Sequence, residues 1–256
     1  RGLSGFGRHI LGANVLTLLR ERLPVLLIGR MLGADMVGLY WMAARWATLP
    51  VDGITFVVSR VAYPTYARLR DDRAEFARGF RVTFEVILLL AAPAAIGLAL
   101  VSGPLVEMLY DPRWRGAAVL LSILAFFGFF HALAATTGEV FKAAGVPNLV
   151  LLYAIVYLAS LALLLVALGS WLGVVGVALA VSCSALLVAL LSLSAAARVL
   201  GIRRGELARL GMLPLAATSV LAAVVLGIDT LVTGAGWPSW ARLLAEVSAG
   251  AVAYSA

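Results

Sequence analysis

"LTLLRERLPVLLIGR", residues Leu16–Arg30, sets three adjacent charges, Arg20, Glu21 and Arg22, inside a run of leucines and valines suited to lipid. Each charge at mid-bilayer costs about 2.5–3.5 kcal/mol on insertion scales, so three cost about 8–10 kcal/mol. A dozen Leu, Ile and Val residues return only about 4–7 kcal/mol, at roughly 0.3–0.6 kcal/mol each. Alone in lipid such a helix is marginal. It needs neighbouring helices or a wet cavity to face.

The rest of the chain says which setting this is. Of 256 residues, 63% are hydrophobic and 13% charged, with a mean hydropathy of +1.03. A soluble domain has about a quarter of its residues charged. The apolar excess runs along nearly the whole length, which specifies an all-α, polytopic transmembrane bundle. A crossing helix needs about 20 mostly apolar residues. Eight runs meet that need, at 9–32, 37–63, 82–102, 117–142, 148–168, 173–197, 210–231 and 240–256. Barrel strands are excluded, because the runs are about twice too long and do not alternate. The joints carry turn chemistry, as in Gly33-Ala34-Asp35, Ser102-Gly103-Pro104, Gly145-Val146-Pro147-Asn148 and Gly169-Ser170.

The single cysteine, Cys183, excludes a disulfide framework and reads as a small buried hydrophobe. The chain opens on Arg1 without a cleavable signal pattern and its last apolar run breaks off at Ala256, so it reads as a piece of a longer protein. Net charge is +7, and Lys142 is the only lysine among the 20 cations. In a membrane protein that surplus sets topology and meets anionic lipid headgroups, and nucleic acid is not expected as a partner.

Arginine placement orients the chain. With its start in the cytoplasm, the inner segments collect 13 cations: Arg1, Arg8, Arg60, Arg68, Arg70, Arg73, Arg78, Arg81, Lys142, Arg198, Arg203, Arg204 and Arg209. The outer segments hold four, Arg30, Arg113, Arg115 and Arg242. That is a decisive positive-inside bias. "YARLRDDRAEFARGFR" (66–81) is expected as a cytoplasmic surface helix between spans. Its Asp71-Asp72 pair faintly resembles the metal-binding carboxylates of isoprenoid enzymes, but a solvated connector is the better reading. "PLVEMLYDPRW" (104–114) reads as an amphipathic interfacial helix, and "GIRRGELAR" (201–209) as a basic linker before a last hairpin.

Arg20, Glu21 and Arg22 fan over one side of the first span, at about 100° per residue. Asn14, Thr17, Glu21 and Pro24 align as a polar stripe. The second span repeats the arrangement with Arg45, Thr48, Asp52, Thr55 and Ser59, interrupted by Pro50. These charges either staple helices together as buried ion pairs or line a cavity. Three arginines against the two acids, Glu21 and Asp52, favour a cavity for an anion, since the guanidinium fork suits phosphate oxygens. Deeper in the chain, Glu85 lies one turn into its span. Glu139 sits near Lys142 and is a candidate for binding a coupling cation, against an interfacial role. His131 is a candidate proton relay, against a packing histidine.

No catalytic signature is present: there is no His-Glu-x-x-His, Gly-x-Ser-x-Gly, Cys-x-x-Cys or phosphate-cradling loop. The outer loops are too short for an external active site. No enzyme, no metal site and no cofactor are expected, beyond proton or sodium coupling.

"LLIGRMLGADMVGLYWMAARWATLPV", "SRVAYPTYARLRDD" and "APAAIGLALVSGPLVEMLYDPRW" followed by "AAVLLSILAF", with "KAAGVPNLVL" and "GVVGVALAVS", resemble bacterial polysaccharide (O-antigen, lipopolysaccharide) flippases. These belong to the multidrug/oligosaccharidyl-lipid/polysaccharide exporter superfamily. The resemblance covers about residues 10–200. It implies one lobe of a two-lobed, MATE-like exporter, with residues 1–200 as the C-terminal six-helix lobe. Residues 201–256 would then be a basic linker and an additional hairpin whose second helix is cut short. It further implies a bacterial inner-membrane protein that moves oligosaccharide on polyprenyl diphosphate to the outer leaflet by alternating access. Arg20, Glu21, Arg22, Arg45 and Asp52 would line its cavity. The absent N-terminal lobe, or a second copy, would complete it. The competing readings are a cation-coupled multidrug or lipid II exporter of the same superfamily, a membrane-embedded glycan transferase or ligase, and a non-transporting scaffold.

Overall fold

A computed structural model describes residues 18–19, 22–234 and 237–255. Among these the secondary structure is helical throughout. Helix α1 covers 22–32. There follow α2 (Ala34–Leu69), α3 (Arg73–Leu100), α4 (Ser102–Leu109), a 3-10 turn at Pro112–Trp114, α5 (Gly116–Ala143), α6 (Asn148–Leu200), α7 (Arg204–Gly234) and α8 (Ser239–Ser255). Four described helices contain stretches long and apolar enough to cross a membrane: Arg73–Leu100, Gly116–Ala143, Asn148–Leu200 and Gly205–Val232.

At about 1.5 Å per residue the 53 residues of α6 would span roughly 80 Å, far beyond a hydrocarbon core of about 30 Å. The chain turns back at Gly173, where φ is 57° and ψ −134°, a conformation that costs an L side chain dearly. The two arms lie against each other: Tyr153 of the first donates to the Leu191 carbonyl of the second at 3.4 Å. The runs expected at 148–168 and 173–197 are thus the arms of one hairpin. Helix α2 is 36 residues long and continues through Pro50 and Pro64. Its charges keep α2 outside the purely apolar class, and the described part of α1 is too short to belong to it.

The bundle centres on α5, which packs against α2, α3 and α6. One core joins Ile28, Tyr40, Ala43 and Ala47 to Leu120, Leu121, Leu124, Leu161 and Val181. Helices α2 and α5 meet so closely at Gly128 that a Cβ there would lie 2.9 Å from the Ala47 carbonyl oxygen. A second core gathers Tyr66, Phe80, Phe141, Ala197 and Leu207 at one end. The ends of α2, α5 and α6 meet the starts of α3 and α7 there, so the segments bearing Arg68, Arg73, Arg81, Lys142, Arg198 and Arg209 converge. This is the end expected to face the cytoplasm. Arg73 donates to the Val199 carbonyl at 3.3 Å, and Arg81 pairs with Glu206 at 2.8 Å. The α7–α8 hairpin packs on α3 and α4.

Several local expectations change. The segment 66–81 forms no separate surface helix. Helix α2 runs to Leu69, and Asp72 caps α3 by accepting from Ala74 N and Glu75 N at 2.9 and 3.1 Å. A carboxylate at that N-cap satisfies orphan amides, which accounts for the Asp pair without a metal. No group of three potential metal ligands occurs among the described residues. The basic linker shortens to 201–203, because the left-handed Gly201 ends α6 and α7 begins at Arg204. Residues 104–114 divide into α4 and the 3-10 turn, with Pro112 starting the latter. Cys183 is exposed rather than buried, because Ser182 and Ser184 on either side of it turn inward.

Candidate functional site

Helices α1 and α2 each divide into an inner and an outer face. On α2, Tyr40, Ala43, Ala47 and Val51 are buried against the bundle at three- and four-residue spacing. The opposite stripe exposes Trp41, Arg45, Leu49, Asp52, Phe56 and Arg60. On α1, Pro24 and Ile28 are buried while Arg22, Leu26 and Arg30 are exposed. The charges lie outward because the small residues opposite them, Ala43 and Ala47, are what allow α2 to reach α5.

Among the described residues, Arg22, Arg45 and Asp52 form no ion pair. Pure stapling by Arg45 and Asp52 is therefore not what the geometry contains. The Arg60 guanidinium lies over the Phe56 ring, 4.1 Å from its centroid. Arg20 and Glu21, with Asn14 and Thr17, lie outside the described residues. Pro24, expected on the polar stripe of the first span, instead turns into the bundle. On α2 the exposed line runs through 45, 49, 52, 56 and 60. Thr48, Thr55 and Ser59 sit at its half-buried edge.

The second group of candidates occupies a different place. A cavity of about 710 Å³ opens between α5 and the two arms of α6, lined by His131, Glu139, Lys142, Tyr153, Tyr157 and Ser192 among others. Lys142 donates to Glu139 at 3.0 Å, and the Glu139 side chain is only 14% exposed. His131 stacks on Phe127 at 5.8 Å with an interplanar angle of 11°. The structure thus brings Glu139 and His131 to one cavity, and that cavity's lining excludes Arg22, Arg45 and Asp52. Glu85 is exposed, as an interfacial residue should be.

Sequence reasoning missed Tyr153, Tyr157 and Ser192, which reach the cavity only because α6 doubles back. It also missed Glu246 on α8, which is buried at 1% exposure. The only signal was its four-residue spacing from Arg242. Arg242 donates to Asp229 of α7 at 2.7 Å.

Residues 1–119 match a family described as polysaccharide biosynthesis protein. The chain is 31% identical over 144 residues to the teichuronic acid biosynthesis protein TuaB of Bacillus subtilis (strain 168), covering 56% of this chain and 30% of that relative. It is 27% identical over 183 residues to the amylovoran biosynthesis protein AmsL of Erwinia amylovora, covering 72% and 47%. To the lipopolysaccharide biosynthesis protein WzxC of Escherichia coli (strain K12) it is 25% identical over 138 residues, covering 54% and 28%. The matches therefore span less than half the length of each of these relatives. In fold the chain is similar to the lipid II flippase MurJ in an inward closed conformation. The TM-score is 0.75 at 17% identity, covering 94% of this chain and 50% of that one. The expected resemblance to polysaccharide biosynthesis proteins holds, and so does the all-helical, flippase-like fold. The chain is a multi-pass membrane protein.

Proposed function

We propose that this chain forms one lobe of a bacterial inner-membrane flippase that carries oligosaccharide linked to polyprenyl diphosphate towards the outer leaflet. The observation that carries the reading is the outward face of α1 and α2. Its described charges, Arg22, Arg45, Asp52 and Arg60, stand within otherwise apolar helices with no ion pair among themselves or to the bundle. Exposed to lipid, Arg22, Arg45 and Asp52 would each cost about 2.5–3.5 kcal/mol at mid-membrane, while Arg60 stands towards the cytoplasmic end of the same stripe. Against a watery chamber closed by a second lobe the cost vanishes, and three cations against one carboxylate leave a field that attracts diphosphate. We propose Arg22, Arg45 and Asp52 as cavity-lining residues, together with Arg20 and Glu21, which lie outside the described residues. The other lobe comes from the rest of the same protein or from a second copy.

The pronounced excess of guanidinium on this face disfavours cationic drugs as cargo. The chain carries its substrate without transforming it. The cavity holding Glu139 and His131 suits ion coupling, since both titratable groups border one space between α5 and the two arms of the α6 hairpin. Arg45→Ala in the full-length protein tests the reading. Surface polysaccharide should be lost while the membrane level stays that of the wild type. Unchanged polysaccharide would remove Arg45 from the substrate path.

A further inference from the structure

The α7–α8 hairpin contains a charge imbalance that the transport face does not involve. Arg242, in the first turn of α8, donates to Asp229 of α7 at 2.7 Å. One turn further on, Glu246 is 1% exposed, its carboxyl set against the Asp229 side chain, and among the described residues neither of its oxygens meets an N–H or O–H donor. Arg242 turns its fork to Asp229 and leaves its own Nε buried without an acceptor. The position of Glu246 follows from the antiparallel packing. Four residues later Gly250 presses on α7, where a Cβ would meet Val225 at 3.1 Å and Leu221 at 3.6 Å. Glu246 therefore lies between the Arg242–Asp229 contact and this tight apolar crossing.

The charge count is two carboxylates against one guanidinium. A buried carboxylate without any donor is costly, because nothing replaces the water it gave up. Among the described residues, the other elements packed on α8 supply no compensating cation. On α4, Glu107 accepts from Ser239 at 3.4 Å and pairs with Arg115 at 3.7 Å, at the mouth of the hairpin. The charged residues of α3 all fall within 73–85, at the opposite end. Tyr254, further along α8, donates to the Leu89 carbonyl at 2.6 Å.

We propose that Glu246 and Asp229, bounded by Arg242, form a site for one monovalent cation, a proton or Na⁺, within the α7–α8 hairpin. The cation supplies the missing positive charge and completes the hairpin. This inference concerns the hairpin alone and stands whether or not the α1–α2 face meets a diphosphate.

Infrared difference spectroscopy on the full-length protein in lipid vesicles tests it. Two exchanges are recorded: Na⁺ for choline at fixed pH and ionic strength, and a pH step in choline. A carboxyl band in the wild type should respond to one exchange, sodium or proton according to which. That band should be lost in Glu246→Gln or in Asp229→Asn, both of which keep side-chain volume. A wild type with no carboxyl response to either exchange overturns the proposal. So does a response that persists in every purified variant.

Discussion

Two regions of this molecule place charge inside apolar helices, and they dispose of it in opposite ways. On α2, Arg45 and Asp52 share one stripe, about 10 Å apart along the axis, and stand exposed without an ion pair. On the α7–α8 hairpin, Asp229 and Arg242 bind each other and Glu246 is drawn under the packing. The first arrangement is stable only where something polar lies alongside. The second pairs Asp229 with Arg242 and leaves Glu246 buried without a donor among the described residues. A charged residue in an apolar run thus signals function where the rest of the fold leaves it unsatisfied, whether outward as at Arg45 or inward as at Glu246.

Mutation should separate the two regions. Arg242→Ala would remove the guanidinium that Asp229 accepts from and that lies one turn from Glu246. Breaking a buried pair costs about 3–5 kcal/mol. With Asp229 partly exposed, about 2–4 kcal/mol is expected after allowing for screening. The full-length protein should fall several-fold in steady-state membrane level on an immunoblot, whereas Arg45→Ala should not fall at all. Equal loss in both variants would erase the distinction.

Gly128→Leu tests whether the exposed stripe depends on the close approach behind it. A side chain there collides with the Ala47 carbonyl and Val51. Overpacking of this kind costs about 1–3 kcal/mol. Both level and export should drop, with the thermal midpoint lower in detergent. Asp72→Ala removes the cap of α3 at about 1 kcal/mol, a small fall in the same midpoint. Arg78→Ala breaks only the exposed pair with Glu75 and should change the midpoint by less than the error of measurement.

The sequence disclosed most of the architecture because hydropathy and arginine placement are local properties. Spans, joints and the arginine-rich end can be read from runs such as 148–168 and from Arg73, Arg81 and Arg198. That Arg45 and Asp52 share one face was legible from their seven-residue spacing, while the outward turn of that face was not. What stayed hidden depends on tertiary approach. Tyr153 and Ser192 meet at one cavity only through the turn at Gly173. Glu246 is buried by Gly250 against Val225, a contact with no trace in local pattern. Cys183 was expected inside and faces out, and Pro24 was expected on the polar stripe and faces in. Hydropathy reports how apolar a run is and says little about which way each residue points. The connector at 201–209 was read as too long because Arg204–Arg209, although charged, already forms the first turns of α7.

The central claim is that the outward face of α1 and α2 borders water in the complete protein. It is tested most directly by thiol labelling of the full-length protein in membranes, in a Cys183→Ala background. Arg45→Cys should react readily with a membrane-impermeant maleimide, whereas Leu163→Cys, on the strongly exposed apolar side of α6, should not. Labelling at position 45 as slow as at position 163 would contradict the account.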